Sequence, residues 1–170
     1  MIQNRRNYPI RIIGMDVVKQ CQPVITGTIF WSGTSGVDPV TRMGFDLDLP
    51  DPEAMLWSEG SSNYNQPYFG SYTISLAPGA QQVFNIVAGT SKYSCTFKFR
   101  ITILDGVREV QQLIGDGAQP FRVTAVSLLG LSGNDRRPPF DDYKVLYVGG
   151  LNSPSPTGNY ARANPQRYSL

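Results

Sequence analysis

Apolar and polar residues alternate with period two in several short stretches of this chain, the signature of strands with one face in a core and one in water. The clearest stretch is Lys92 to Leu104. Cys95, Phe97, Phe99, Ile101 and Ile103 fall on one face, and Thr96, Lys98, Arg100 and Thr102 on the other. Around Cys21 the same parity groups Cys21, Pro23, Ile25, Gly27, Ile29 and Trp31. Both cysteines are therefore expected to point inward, and one inward pair predicts a disulfide pinning two sheets together in an oxidising compartment. The plainer alternative is two buried thiols acting as small hydrophobes.

Further strands are predicted at Pro9–Val18, with Gly14 as a bulge between Ile10, Ile12, Ile13 and Met15, Val17, Val18, and at Val24–Trp31. Met43, Phe45, Leu47 and Leu49 alternate with Asp46 and Asp48, and Asp51–Trp57 suggests a turn of helix capped by Asp51 with Pro52 at its first position. Ser71–Leu76 and Gln82–Ala88 flank Ala77-Pro78-Gly79-Ala80, a pattern that suits a type II turn joining two partner strands. Asp105-Gly106 is the strongest hairpin signal, leading into Val107–Leu113, and Phe121–Leu129 and Tyr143–Val148 supply two more strands. No long amphipathic helix separates these strands, which disfavours a parallel α/β fold. The expectation is an all-β, antiparallel immunoglobulin-like sandwich at residues 9–148. A flexible segment, 1–8, precedes it. An irregular Pro/Ser/Asn-rich tail, 149–170, follows it, flexible or held by a partner.

Composition narrows the chemistry. With no histidine, the 170-residue chain has no His-based triad and no imidazole metal ligand or acid–base group. Two cysteines alone do not build a tetrahedral zinc site, and no glycine loop follows a strand and opens a helix as a phosphate site requires. A net charge of +2 with scattered basic residues predicts no nucleic-acid partner; Arg5–Arg6 and Arg136–Arg137 read as solvated loop charges. No stretch approaches the roughly 18 apolar residues of a membrane span. No secretory signal opens the chain, so an extracytoplasmic domain of this sequence would have lost its targeting segment.

Two clusters remain as candidate sites. Asp46 and Asp48 share a strand face and could reach one hard cation such as calcium, although a solvated outer face beside a helix start is the simpler reading. Tyr64, Tyr68, Phe69 and Tyr72 lie among Ser, Asn and Gln, the makings of a contact surface for protein or sugar, or else of a lid folded onto the core. No cofactor is otherwise expected.

Cys21, Trp31 and Tyr93-Ser94-Cys95 resemble the Cys–Trp–Cys layout of immunoglobulin domains at the level of the fold, although Trp31 sits on the strand of the first cysteine, not the next one. A second resemblance covers about residues 9–127. It is carried by Cys21, Gly44-Phe45-Asp46-Leu47-Asp48, Tyr68-Phe69, Leu76-Ala77-Pro78-Gly79 with Gln81-Gln82, Tyr93 with Cys95, and Pro120-Phe121-Arg122-Val123-Thr124. This succession resembles the extracytoplasmic β-domain of actinobacterial single-pass membrane proteins, in which a short cytoplasmic part, often helix-turn-helix, precedes one membrane span. The chain departs from that pattern by lacking the cytoplasmic and spanning parts and by carrying the 149–170 tail. The resemblance implies a non-enzymatic sensor or recognition role with a protein or small-molecule partner. A structural subunit of a virion or surface assembly is the first alternative, and a carbohydrate-binding module using Tyr64–Tyr72 the second.

Overall fold

In the computed structural model the described residues are 1–32, 41–56, 66–125, 140 and 142–168. Their strands, in chain order, are β1 (Ile2–Gln3), β2 (Ile10–Pro23), β3 (Thr28–Ser32), β4 (Thr41–Asp46), β5 (Met55–Leu56), β6 (Ile74–Leu76), β7 (Gln81–Gln82), β8 (Phe84–Gly89), β9 (Tyr93–Asp105), β10 (Arg108–Ile114), β11 (Phe121–Thr124), β12 (Val145–Gly149) and β13 (Ala161–Ala163). A single helical turn, α1 (Tyr68–Ser71), precedes β6. The fold is all-β, as the alternation requires.

The long strand β9 organises the larger sheet. β2 pairs antiparallel along one edge of it, with β6 beyond, while β10 and β11 follow one another along the other edge. Cys95, Phe97, Phe99 and Ile101 are buried, as their parity predicts. On β2 the inward positions switch from Ile10 and Ile12 to Met15 and Val17, because the register slips between Ile12 and Gly14. This is the bulge expected at Gly14: one extra residue moves all later side chains to the opposite face. The β9–β10 hairpin closes through Gly106 and Val107, with Gly106 at φ 66°, the backbone region that favours glycine. Between β10 and β11 the chain turns on itself at Gly115, where a Cβ would lie 2.1 Å from the Gln119 carbonyl oxygen.

A second sheet, β5–β4–β8, covers the inner face of the first. Met43, Phe45 and Leu47 project into the shared core, and the Phe45 and Phe99 rings meet at 5.0 Å. β4 and β8 run parallel, as do β3 and β12, so the fold is not purely antiparallel as expected. Parallel neighbours cannot be joined by a tight turn and need a crossover, and both partners here come from distant parts of the chain. That kind of pairing leaves no turn signal in the sequence.

The disulfide forms, but not between sheets. Cys21 and Cys95 are directly opposed on neighbouring strands, with Cα atoms 4.1 Å apart. Cys95 is buried whereas Cys21 is exposed, contrary to the expected inward pair. At Cys21 β2 is the outer strand among the described residues, because β6 pairs only with Ile10–Ile12, whereas Cys95 lies between β2 and β11. Trp31 lies on β3 and packs against Phe140 and Tyr168, so it does not back the disulfide as the tryptophan of an immunoglobulin domain does.

Three local expectations are also corrected. Of the helical turn expected at Asp51–Trp57, Trp57 lies outside the described residues and Asp51–Leu56 is not helical. Instead the Ala54 amide donates to the Met15 carbonyl and the Val17 amide to the Pro52 carbonyl, so extended backbone at the β2 edge satisfies groups a helix would have paired internally. The Ala77–Ala80 turn is present, with Gly79 at φ 75° and the Ala80 amide donating to Ala77 O. Its flanks, however, do not pair with each other: β6 joins β2, β7 joins β1, and β8 joins β4. Asn4 separates them. Its buried amide nitrogen donates to the carbonyls of Tyr8, Leu76 and Ala77, and its backbone bonds Gly79 and Ala80, so the first residues are built into the sheet edge.

A smaller sheet, β13–β12–β3, packs Ile29, Leu146 and Val148 against Phe140, Tyr143 and Tyr168 to form a second core. Residues 149–168 thus contribute a strand and an aromatic lid. The Tyr143 hydroxyl donates to the Ala125 carbonyl at 2.7 Å and accepts from Thr124 at 2.8 Å, which ties this core to the end of β11.

Candidate functional site: an apolar cavity between the sheets

β8 and β11 lie on opposite sides of a gap in the larger sandwich. Phe84, Ile86 and Ala88 share the inward face of β8 with Met43 and Phe45 of its parallel partner. Phe121 and Val123 face inward from β11, opposite Phe97 and Cys95. Inward-facing apolar side chains are normally buried, yet Phe84, Ile86, Phe121, Val123 and Ile114 are all only half-buried. They border a cavity of about 480 Å³, floored by Met15, Phe97, Phe99 and Ile101. The space is a half-open pocket, with Met1 and Ile2 also on its lining. A space of this volume falls in the range of small-molecule pockets.

Aromatic rings give the cavity its shape. Phe97 and Phe99 meet edge-to-face at 5.4 Å, and Phe121 lies 5.6 Å from Phe97 and 5.5 Å from Phe99. Arg122 is the charged residue among the described lining, and on β11 it alternates with the inward Phe121 and Val123. The described lining therefore offers mainly dispersion contacts and ring faces, with Arg122 as its charged group.

The predicted acidic pair sits elsewhere and is engaged by the protein itself. Asp46 accepts from the Asp48 amide at 2.9 Å. Asp48 accepts from the Thr90 hydroxyl at 2.5 Å, the Ser91 hydroxyl at 2.5 Å and the Ser91 amide at 2.9 Å. Burial pushes the Asp48 carboxyl up, but the Ser91 and Thr90 hydroxyls, the Ser91 amide and the nearby Lys92 charge outweigh it and hold it below the usual carboxylate range. Beside it, Lys19 donates its ammonium protons to the Leu47 and Leu49 carbonyls. The cluster works as a clasp between β2, the end of β4 and the turn before β9. Among the described residues no three acidic or cysteine side chains gather as a metal site requires.

Of the aromatic group, Tyr68 and Phe69 lie on α1 and pack partly against the large core, with rings 5.0 Å apart. Tyr72 stands exposed, 5.2 Å from Tyr68. Tyr64 lies outside the described residues, as do Arg136, Arg137 and Asp141. Arg6 is not a free loop charge: it pairs with Asp105 at 2.7 Å, and Tyr8 donates to the same carboxylate at 2.6 Å, which holds Asp105 below its ordinary value.

Of the cavity residues, Phe84, Ile86 and Phe121 were legible only as members of the strands expected at Gln82–Ala88 and Phe121–Leu129. Alternation says which way a side chain points, not whether the facing layer reaches it. The chain matches no protein-family model, and neither a curated protein nor a solved structure is significantly similar to it.

Proposed function

We propose that this chain is a non-catalytic recognition or sensor domain working outside the cytoplasm, and that its ligand is a small apolar molecule held between the sheets. The observation that carries the reading is the cavity of about 480 Å³ whose inward-facing phenylalanines and isoleucines are left half-buried. The Cys21–Cys95 disulfide supports an oxidising compartment. The lack of histidine and the engagement of Asp48 by its own turn support a binding role over catalysis. The sequence resemblance to actinobacterial extracytoplasmic β-domains agrees with a sensor.

The test uses 1-anilinonaphthalene-8-sulfonate as a fluorescent probe and decanol as a neutral competitor. One saturable site is expected, displaced by decanol and lost in Ala88→Phe, which fills the cavity from β8. A circular dichroism melt of the variant, unchanged or raised, shows that the fold survives the substitution. Dye binding that persists undiminished in Ala88→Phe, or no saturable binding at all, would overturn the assignment.

A further inference from the structure

The outer face of the smaller sheet breaks the rule that shapes the rest of the fold. When one face of a sheet packs on a core, the other meets water and is normally polar. Ile29, Leu146 and Val148 take the inner face of β3 and β12. Phe30 and Tyr147 must then stand on the outer one, directly opposite each other in register, with Arg162 of β13 opposite Tyr147 on the far side. The Phe30 and Tyr147 rings stack at 5.0 Å with 10° between their planes. Tyr160 meets Phe30 edge-on at 5.5 Å.

Tyr160 has a seat made for it. A Cβ on Gly149 would lie 2.8–3.0 Å from three atoms of the Tyr160 ring, so the ring rests over backbone that only glycine leaves bare. Held there, Tyr160 remains 54% exposed and Phe30 63% exposed. Neither ring is explained by the core, and ordered aromatic rings presented to solvent mark a contact surface.

Arg162 of this row also borders a depression of about 600 Å³ where β12 begins and β13 ends, lined by Asp142, Lys144, Asn164 and Gln166 together with Tyr143 and Ala163 from the small-core side. Arg162 belongs to both features. The depression supplies donors from Lys144, Arg162 and the two amides, and acceptors from Asp142 and Gln166, while the Asn164 oxygen already accepts from the Gln166 backbone amide. Charges of both signs do not select an anion, and two basic residues beside an aspartate are not the basic groove that single-stranded nucleic acid needs. Aromatic faces next to neutral and mixed-sign hydrogen-bonding groups match a ligand with apolar C–H faces and many hydroxyls. The concave side favours such a ligand over a flat protein partner.

We infer that the outer face of the small sheet, with Phe30, Tyr147 and Tyr160 as the stacking platform and Arg162, Asn164 and Gln166 beside them, is a binding site for a neutral saccharide. It is separate from the apolar cavity and from the α1 aromatics that the sequence suggested for a glycan. Sugar rings lie on the Tyr160 and Phe30 faces, and their hydroxyls reach into the depression.

Affinity electrophoresis of the full chain through gels of soluble glucan, mannan and galactan tests this, followed by calorimetry with an oligosaccharide of the retarding polymer. Retardation by at least one polymer is expected. Tyr160→Ala and Arg162→Gln, both at exposed positions, should each weaken binding at least tenfold with unchanged melting curves, whereas Tyr72→Ala and Ala88→Phe should leave it unaltered. No retardation by any of the three polymers overturns the inference. So does retardation that survives both platform substitutions or that is lost in Tyr72→Ala, and so does capture of a protein partner through Tyr160 without any saccharide binding.

Discussion

The two hydrophobic cores of this molecule are built from the same alternation but held together differently. In the larger, β9 is joined to β10 by a two-residue hairpin and to β2 by a long ladder that the Cys21–Cys95 bond closes at one end. In the smaller, β3 and β12 meet in parallel from opposite halves of the chain, and β13 adds only three residues. No covalent link is present among its described residues. Loop closure for such distant partners must be offset by side-chain packing and hydrogen bonds without a covalent link. A hairpin, a long ladder and a disulfide therefore secure the large core, while the small one rests on a few fully buried residues and on its hydrogen bonds to the end of β11.

The strongest way to break this contrast is to hollow each core in turn. Phe45→Ala in the large core should cost about 3–5 kcal/mol, and Leu146→Ala in the small core about 2–5 kcal/mol. Amide exchange should separate them. Phe45→Ala is expected to lower protection throughout, whereas Leu146→Ala should release β3, β12 and β13 while β9 keeps its slow amides. Equal loss of β9 protection in both variants would mean that the cores unfold as one unit.

A milder substitution addresses the link between them. Tyr143→Phe keeps the ring in the small core but leaves the Ala125 carbonyl without its donor, a loss of about 1–3 kcal/mol for a buried acceptor. A double-mutant cycle with Leu146→Ala measures the coupling. Alkali should act on the same link. Burial is the main reason the Tyr143 phenol titrates above its ordinary value, and the Asp142 charge adds to it against the Thr124 hydrogen bond. A raised pKa contributes stability that is present below the unfolded value of about 10 and lost as pH rises through the folded one. Small-core amides should therefore exchange more readily above about pH 10 than the base catalysis of exchange alone predicts, and Tyr143→Phe should remove that excess.

The smallest expected effect belongs to the large core. Asp48 titrates below its ordinary value, so its contribution is present above the unfolded pKa of about 4 and fades as pH falls through the folded one. Because the group is still partly solvated, the contribution is expected to stay below about 1 kcal/mol. Asp48→Asn should flatten the acid limb of a denaturant-midpoint curve between about pH 5 and 2. An unchanged acid limb would show that the clasp contributes nothing to stability.

How far the fold could be read from sequence depended on whether its cause was local. The β9 face, the Gly14 bulge and the Asp105–Gly106 hairpin all follow from neighbouring residues, and all stand where the alternation put them. The inner face of β9 even located the disulfide partner. Pairing across distance was a different matter. Ala77–Ala80 is a correct turn between strands that do not pair, because Asn4 occupies the place where the return strand would lie. Read along its own strand, Asp48 was a solvated carboxylate or else a cation ligand, and nothing local indicated its partners Thr90 and Ser91 on the turn leading into β9.

The candidate sites show the same division. Ile29 and Trp31 were legible as inward residues, which already placed Phe30 outside, but nothing local showed that Tyr147 and Tyr160 would come to rest beside it. Sequence alone determined the all-β class, the direction in which most strand side chains face and the presence of one cysteine pair. Only the tertiary structure decided which strands became neighbours, that the cysteines join one sheet, and that Phe84 and Phe121 border a cavity. The physical reason is that side-chain parity is a property of a strand's own backbone. Neighbour choice and cavity volume are set by how well distant surfaces pack, and no short stretch of chain encodes that by itself.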